Sequence, residues 1–252
     1  MNRLLLERHE LGTEATVTLR DRRAEHLIAV LGVTPGSPVR AAVVDGGLAE
    51  AEVLAVEDGA VTLRLLAEGP PPVLPRLSLV LALPRPRALA RILRLGASLG
   101  LERIDLINSW RVEKSYFSSP VVTPDALRRE LWLGAEQGGW PRLPAIAVHP
   151  RFRPYLEAHS PPAGSLALLA DPEAVATIEG VVLAAPRPPG AEILAIGPEG
   201  GWIDRERESF RAVGFQEVRL GPWVLTVEHA VAVALGQWEL LRRWGRTGTE
   251  GN

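Results

Sequence analysis

Between residues 16 and 66 apolar positions alternate with polar ones in short runs: TVTLR at 16–20, PVRAAVV at 38–44, AEAEVLAV at 49–56 and AVTLRLL at 60–66. A period of two marks strands with one buried face. Asp45-Gly46-Gly47 and Asp58-Gly59 punctuate the runs with strong turn signals. One stretch, from about Asp21 to Leu31, has helical spacing and is closed by Gly32. The pattern predicts a small β-barrel over residues 1–70. The Gly-Pro-Pro-Pro run at 69–72 is stiff and cannot continue a ladder, so residues 71–76 are expected to form a linker.

Beyond Pro75 the texture changes to apolar runs separated by helical periods: LSLVLAL at 77–83, IDLIN at 104–108, AIAV at 145–148, LALLA at 166–170, ILAIG at 193–197 and EVRLG at 217–221. Runs apolar on both faces that alternate with helices predict an α/β domain built on a covered parallel sheet, here over residues 77–244. Its first helix begins at Pro86, with Leu89, Ile92, Leu93, Gly96 and Leu99 at core spacing. Thr123 and Pro124 signal the start of a second, with Leu127, Leu131 and Ala135 inward and Gly138-Gly139 ending it. The last helix runs from about Val227 to Trp244, and its stripe of Val227, Val231, Ala234, Leu235, Trp238 and Leu241 suits a core or a subunit interface. Residues 245–252 are expected to be a disordered tail.

Composition narrows the chemistry. Of 252 residues 46% are hydrophobic and 23% charged, enough for ordinary cores. There is no Cys, which excludes disulfides, thiolate metal sites and cysteine nucleophiles. The five His, at 9, 26, 149, 159 and 229, have no ligand spacing, so no metal is expected. No apolar run approaches the roughly 18 residues of a membrane span, and no leader pattern opens the chain, which makes the cytoplasm the expected location. The net charge of −2 hides an asymmetry: residues 1–70 sum to −4, residues 71–155 to +7 and residues 156–252 to −5. The central excess is nearly all Arg, the residue that grips phosphate as a planar fork. Arg87, Arg91 and Arg94 share one helical stripe roughly 10 Å long, which suits a phosphodiester track or a solvated face.

Two loops carry the candidate chemistry. After the strand ILAI comes Gly197-Pro198-Glu199-Gly200-Gly201, then Trp202 and a helix from near Asp204. A glycine-rich turn at the carboxyl end of a parallel strand is where α/β folds bind ligands, although the spacing is neither a dinucleotide fingerprint nor a P-loop. The second loop, Leu220-Gly221-Pro222-Trp223-Val224-Leu225-Thr226-Val227-Glu228-His229-Ala230, also joins a strand to a helix. Together the loops resemble the RsmE-type family of 16S rRNA uridine-N3 methyltransferases of the knotted SPOUT class, whose members carry I-G-P-E-G-G and then L-G-P-R-I-L-R-x-E-T-A. The similarity extends to Leu83-Pro84-Arg85, to the segment Asn108–Tyr116 with Arg111 and Lys114, and to Glu136-Gln137. It spans essentially the whole chain, because a PUA-like barrel precedes the methyltransferase domain in that family.

The resemblance implies an S-adenosylmethionine site formed by Leu169, Ala170, Ile196, Gly197, Pro198, Glu199, Gly200, Gly201, Leu220, Gly221, Val224, Leu225, Thr226 and Glu228. It implies 16S rRNA of the small ribosomal subunit as partner, met by Arg22, Arg23, His26, Arg87, Arg91, Arg94, Arg111 and Lys114. It also implies a homodimer, with Val231, Leu235 and Trp238 as candidate interface residues. Transfer to N3 needs alignment and an ionised uridine. Glu228 and His229 are candidate bases, while Arg85 and Arg87 are candidate cations for the anion or for phosphate. Three departures stand out: Trp223 and Thr226 replace family Arg residues, His229 replaces a Thr, and Gly32 ends an H-x-x-x-V-L motif that closes on Arg in the family. The expected function is methylation of a 16S uridine at N3. Alternatives are the same enzyme with a shifted RNA target, or a non-catalytic rRNA-binding or assembly factor.

Overall fold

Alternation along the first seventy residues produces a mixed sheet of five strands, β1 (Leu4–Leu6), β2 (Thr16–Leu19), β3 (Pro38–Val43), β4 (Leu48–Glu57) and β5 (Ala60–Glu68), in the order β1-β3-β4-β5-β2. β1 pairs with β3 in parallel, and the other pairs are antiparallel. The alternation is literal in β4, where Ala49, Ala51 and Val53 are buried while Glu50 is exposed. Asp58 and Gly59 both take positive φ, 47° and 74°, between the paired residues Glu57 and Ala60. That is the two-residue turn whose twist matches a hairpin. Helix α1 (Arg22–Ala29) is capped by Asp21, which accepts from the Arg23 N–H, and sends Ala24 and Leu27 into a core shared with Leu4, Leu6, Leu19 and Leu63. The structure describes residues 2–73, 75–184 and 190–247 of the chain, as a computed structural model.

The six apolar runs form a parallel sheet of β6 (Leu77–Ala82), β7 (Arg103–Ile107), β8 (Ala145–His149), β9 (Leu166–Ala170), β10 (Glu192–Ile196) and β11 (Gln216–Val218), in the order β11-β9-β10-β6-β7-β8. The helices are α2 (Pro86–Ser98), α3 (Pro124–Gly138), α4 (Phe152–Ala158), α5 (Ile178–Ala184), α6 (Asp204–Ala212) and α7 (Val227–Thr247). Residues 96–100 and 128–144 group with the amino-terminal unit by contact, and the remainder forms the parallel-sheet unit.

Three expectations are corrected by the coordinates. α2 ends at Ser98, so Leu99 lies past the helix and is exposed instead of joining its core face. Val231, Leu235 and Trp238 are buried within the chain itself, which removes them as subunit-interface residues. α7 continues through residues 245–247, while the rest of the expected tail, 248–252, lies outside the described residues. No helix among the described residues is long and apolar enough to cross a membrane.

One buried polar cluster braces the parallel sheet. Asp105 on β7 accepts from Arg103 Nε at 2.9 and 2.8 Å and from the Tyr155 hydroxyl at 3.2 Å, and lies 3.1 Å from His149 Nε2. Burial opposes its ionisation, but the Arg103 guanidinium and then His149 outweigh that cost and hold the carboxyl below its ordinary range. Its stabilising effect is therefore present above the unfolded carboxyl's pKa of about 3.9 and fades as pH falls through the lower folded value. We predict that Asp105→Asn costs about 2 kcal/mol near neutral pH. The gap between the two proteins' urea midpoints should close in acid, and a gap constant from pH 7 to acid unfolding would contradict the assignment.

Candidate functional site

Register puts several strand ends at one level. Ile196, the last residue of β10, pairs with Ala170 at the end of β9 on one side and with Leu81 of β6 on the other. Val218, the last residue of β11, pairs with the same Ala170. The segments leaving β9, β10 and β11 thus emerge together, and they line a cavity of about 790 Å³. Carboxyl ends of parallel strands are the ordinary place for a ligand in such a sheet, because the connections there diverge.

Gly197 to Gly201 form one wall. A Cβ at Gly197 would come within 3.0 Å of the Trp202 indole, and one at Gly200 within 2.8 Å of Arg111 Cδ, so both positions are close backbone approaches. Trp202 is buried against Phe210, at 5.0 Å between ring centroids, and its Nε1 has no hydrogen-bond partner. Arg111, from the segment after β7, donates to the Gly200 carbonyl. The Arg85 N–H donates to Glu199 Oε1 at 3.1 Å, which fastens the segment after β6 to the same wall. Glu206 is buried at the start of α6 and accepts from the backbone N–H of Trp110, 2.8 Å, and of Ile203, 3.1 Å. A carboxylate with this many donors is a brace.

A second wall follows β9. Asp171 is buried and accepts from the Glu173 N–H at 2.8 Å and from Arg207 Nη1 at 3.0 Å. Arg207 also reaches Glu173 at 3.1 Å and pairs with Asp204. Asp171, then Asp204 and Glu173, hold this guanidinium firmly protonated. The third wall is Leu220, Gly221, Trp223, Val224 and Leu225, with Val227 and Ala230 from the first turn of α7. Gln237 Nε2 donates to the Leu220 carbonyl at 2.7 Å and anchors that loop to α7.

Of the residues expected to hold a donor, the cavity gathers Ala170, Ile196, Gly197, Pro198, Glu199, Gly200, Gly201, Leu220, Gly221, Val224 and Leu225. Leu169, Thr226 and Glu228 are not among its lining residues. Leu169 is fully buried on the opposite side of β9 from its neighbour Ala170, as strand alternation requires. The Thr226 hydroxyl turns to the His229 N–H at 3.4 Å, as an amino-terminal cap of α7. Glu228 pairs with Arg91 at 2.8 Å, and His229 is exposed outside the lining. Sequence reasoning missed Asp171, Pro172, Glu173, Trp202, Ile203, Asp204 and Arg207, and placed Arg111 with RNA alone.

The expected RNA residues divide similarly. Arg85, Arg87, Arg91, Arg94, Arg111 and Lys114 all lie exposed in the parallel-sheet unit. In the other unit Arg22 pairs with the buried Glu136 at 2.8 Å, and His26 is half-buried on α1. Arg23 is a correction: it is buried, and its donors go to Asp21, Glu10 and the Leu5 carbonyl. Every N–H of that guanidinium is taken, so none is left for a phosphate. Glu136 accepts from Trp132 Nε1 at 3.0 Å besides pairing with Arg22, which makes it structural. Among the described residues there is no group of three potential metal ligands.

Comparisons with known proteins agree with this geometry. A family model described as an RNA methyltransferase domain matches residues 71–239. The chain is 32% identical over 245 residues to a ribosomal RNA small subunit methyltransferase E from Treponema pallidum, covering 93% of this chain and 89% of that one. A protein of the same name from Synechocystis is 30% identical over 89% of this chain and 73% of its own length. Among solved structures, one of a ribosomal RNA small subunit methyltransferase E from Neisseria gonorrhoeae bound to S-adenosyl methionine superposes with a TM-score of 0.78 at 23% identity, covering 96% of this chain and 98% of that one. A protein from Legionella pneumophila in complex with the same cofactor gives 0.76 at 21%, covering 96% and 97%. The structural likeness establishes the shared fold.

Gly197→Ala should cost about 1–3 kcal/mol, because the added methyl must displace the buried Trp202. Gly221→Ala presses only on the exposed Trp223 and should cost less. Calorimetric melting of both variants checks the order, and equal losses would mean that the Gly197 approach is not a tight one.

Proposed function

The chain belongs to the RNA methyltransferase family, and from that premise we propose that it transfers a methyl group from S-adenosylmethionine to N3 of a uridine in 16S rRNA of the small ribosomal subunit. The observation that carries this reading is the convergence of the 197–203 and 220–225 segments on one cavity. The lining fits the donor. Ile196, Leu220, Leu225, Val227 and Ala230 offer an apolar surface for an adenine, and the glycine backbone admits close approach. The orphaned Trp202 Nε1 and the carboxylates of Glu173, Asp204 and Glu199 supply polar partners for hydroxyls and an ammonium. When bound, S-adenosylmethionine supplies a methyl on a sulfonium that is already activated for in-line transfer.

The protein's own tasks are then to align the acceptor and to favour loss of its N3 proton. Arg111 in the cavity wall and Arg85 beside Glu199 are the cations placed to stabilise the anion. Glu228 is occupied by Arg91, so we assign it to fixing the start of α7 against α2 and not to proton removal. His229 remains the candidate base by residue type.

Within this reading the amino-terminal mixed sheet is a PUA-like RNA-binding barrel, residues 1–70, and the parallel-sheet unit carries the trefoil knot. Support for the first is the single core enclosed by all five strands and α1. Support for the second is a sheet order in which β10 enters between β9 and β6. The enzyme works in the cytoplasm, where small subunits are modified, as a homodimer whose contact uses the outer face of α7, with Ala232, Gly236 and Leu240 exposed at successive turns.

Small subunits from a strain lacking the gene, incubated with the purified protein and S-adenosylmethionine, should gain one N3-methyluridine by nucleoside mass spectrometry. A methyl at another nucleotide would redirect the target, and no transfer despite cofactor binding would make the protein an assembly factor. Replacing Arg87, Arg91 and Arg94 together by Gln should weaken RNA binding and lower the slope of log affinity against log salt. An unchanged slope would assign the stripe to solvent.

A further inference from the structure

One side chain at the cavity is left without a task by the donor-binding reading, and the role assigned to it rests on that reading. Trp223 lines the cavity yet keeps 60% of its surface exposed, and Val224 beside it is 90% exposed. An indole is among the most rewarding groups to bury, so one held open beside a binding cavity points to something that covers it.

The ring is also held in place. Atoms of its six-membered ring lie 2.4 and 2.5 Å from where a Cβ at Gly221 would stand, so the ring rests directly on that glycine's backbone. The opposite loop uses the same device, with Gly197 against Trp202, but Trp202 is buried there. One indole anchors its loop and the other is presented.

The surroundings say what would cover it. Arg111 lines the same cavity, and the exposed Arg85 stands at Glu199 on its wall. A cavity that presents a flat apolar ring together with guanidinium groups suits a nucleobase with its phosphate. N3 of uridine lies on the pairing edge, which a base pair occupies, so the acceptor has to be unpaired when it reaches the donor. Stacking returns part of the cost of taking a base out of a helix.

We infer that Trp223 is the stacking platform for the acceptor base, and that the substrate is accordingly an unpaired or extruded uridine. Its role is to position the substrate ring and not to move a proton.

The test uses the full-length protein and a short end-labelled single-stranded RNA containing uridine, with binding read by fluorescence anisotropy. Trp223→Ala should weaken binding roughly tenfold. Trp223→Phe should retain most of the affinity, while Trp223→Leu, which keeps apolar bulk without an aromatic face, should not. The same RNA annealed to its complement should bind all four proteins alike, and calorimetric affinity for S-adenosylmethionine should change much less than affinity for the single strand, since Trp223 is one lining residue among many. In turnover on small subunits, KM should rise in Trp223→Leu and recover in Trp223→Phe. The inference is overturned if Trp223→Leu binds single strands as wild type does, if duplex binding falls in parallel, or if cofactor affinity falls as much as RNA affinity. Should the wild-type protein transfer no methyl to small subunits, the parent reading fails, and the RNA comparison still judges Trp223 on its own.

Discussion

Register in the parallel sheet is the constraint on which the site depends. Ile196, Ala170 and Val218 end their strands at one level because β9 pairs with β10 and with β11 without a slip. A shift of one residue in β10 would turn every side chain of that strand to the other face and lift the 197–201 segment away from its neighbours. The apolar runs secure the register: Leu166 through Leu169 and Leu194 through Ile196 are buried on both faces, so no alternative pairing buries as much. Placement of the loops therefore follows from core packing, and chemistry is added on top of it.

What is added divides into parts that hold and parts that are offered. Glu206 and Asp171 direct their hydrogen bonds to backbone or to fixed partners, which keeps the walls rigid at low reorganisation cost. Trp202 does the same with its ring. Glu199, Val224, Trp223 and Arg85 keep exposed surface around the cavity. On the proposed reading, this division would let one cavity serve two molecules of different character, a small cationic donor and a polyanionic acceptor.

The fold was largely legible because burial on both faces leaves an unmistakable apolar run, and each of the six runs coincides with a strand to within three residues at either end. β1 escaped notice because Leu4-Leu5-Leu6 is too short to show a period, and α4 and α5 because seven residues give barely two turns. In the site, the glycine loop announced itself through composition. Asp171 and Arg207 did not, since a charged residue reads as solvated until its partner is known to lie 36 positions away. Arg23 misled for the same reason, its partners Glu10 and Asp21 being ordinary surface residues by type. Leu169 and Glu228 were expected from the family resemblance alone; side chains along a strand alternate faces and a helix turns about 100° per residue, so neighbours of a lining residue face elsewhere.

The central claim is that two segments distant in sequence form one donor site. Hydrogen–deuterium exchange of the purified protein, with and without S-adenosylmethionine, measures this directly. Amides of both 197–203 and 220–225 should slow together on addition of the cofactor, while the Asp105 cluster on β7 and the amino-terminal sheet stay unchanged. Protection of only one segment, or of neither at saturating cofactor, would contradict the account.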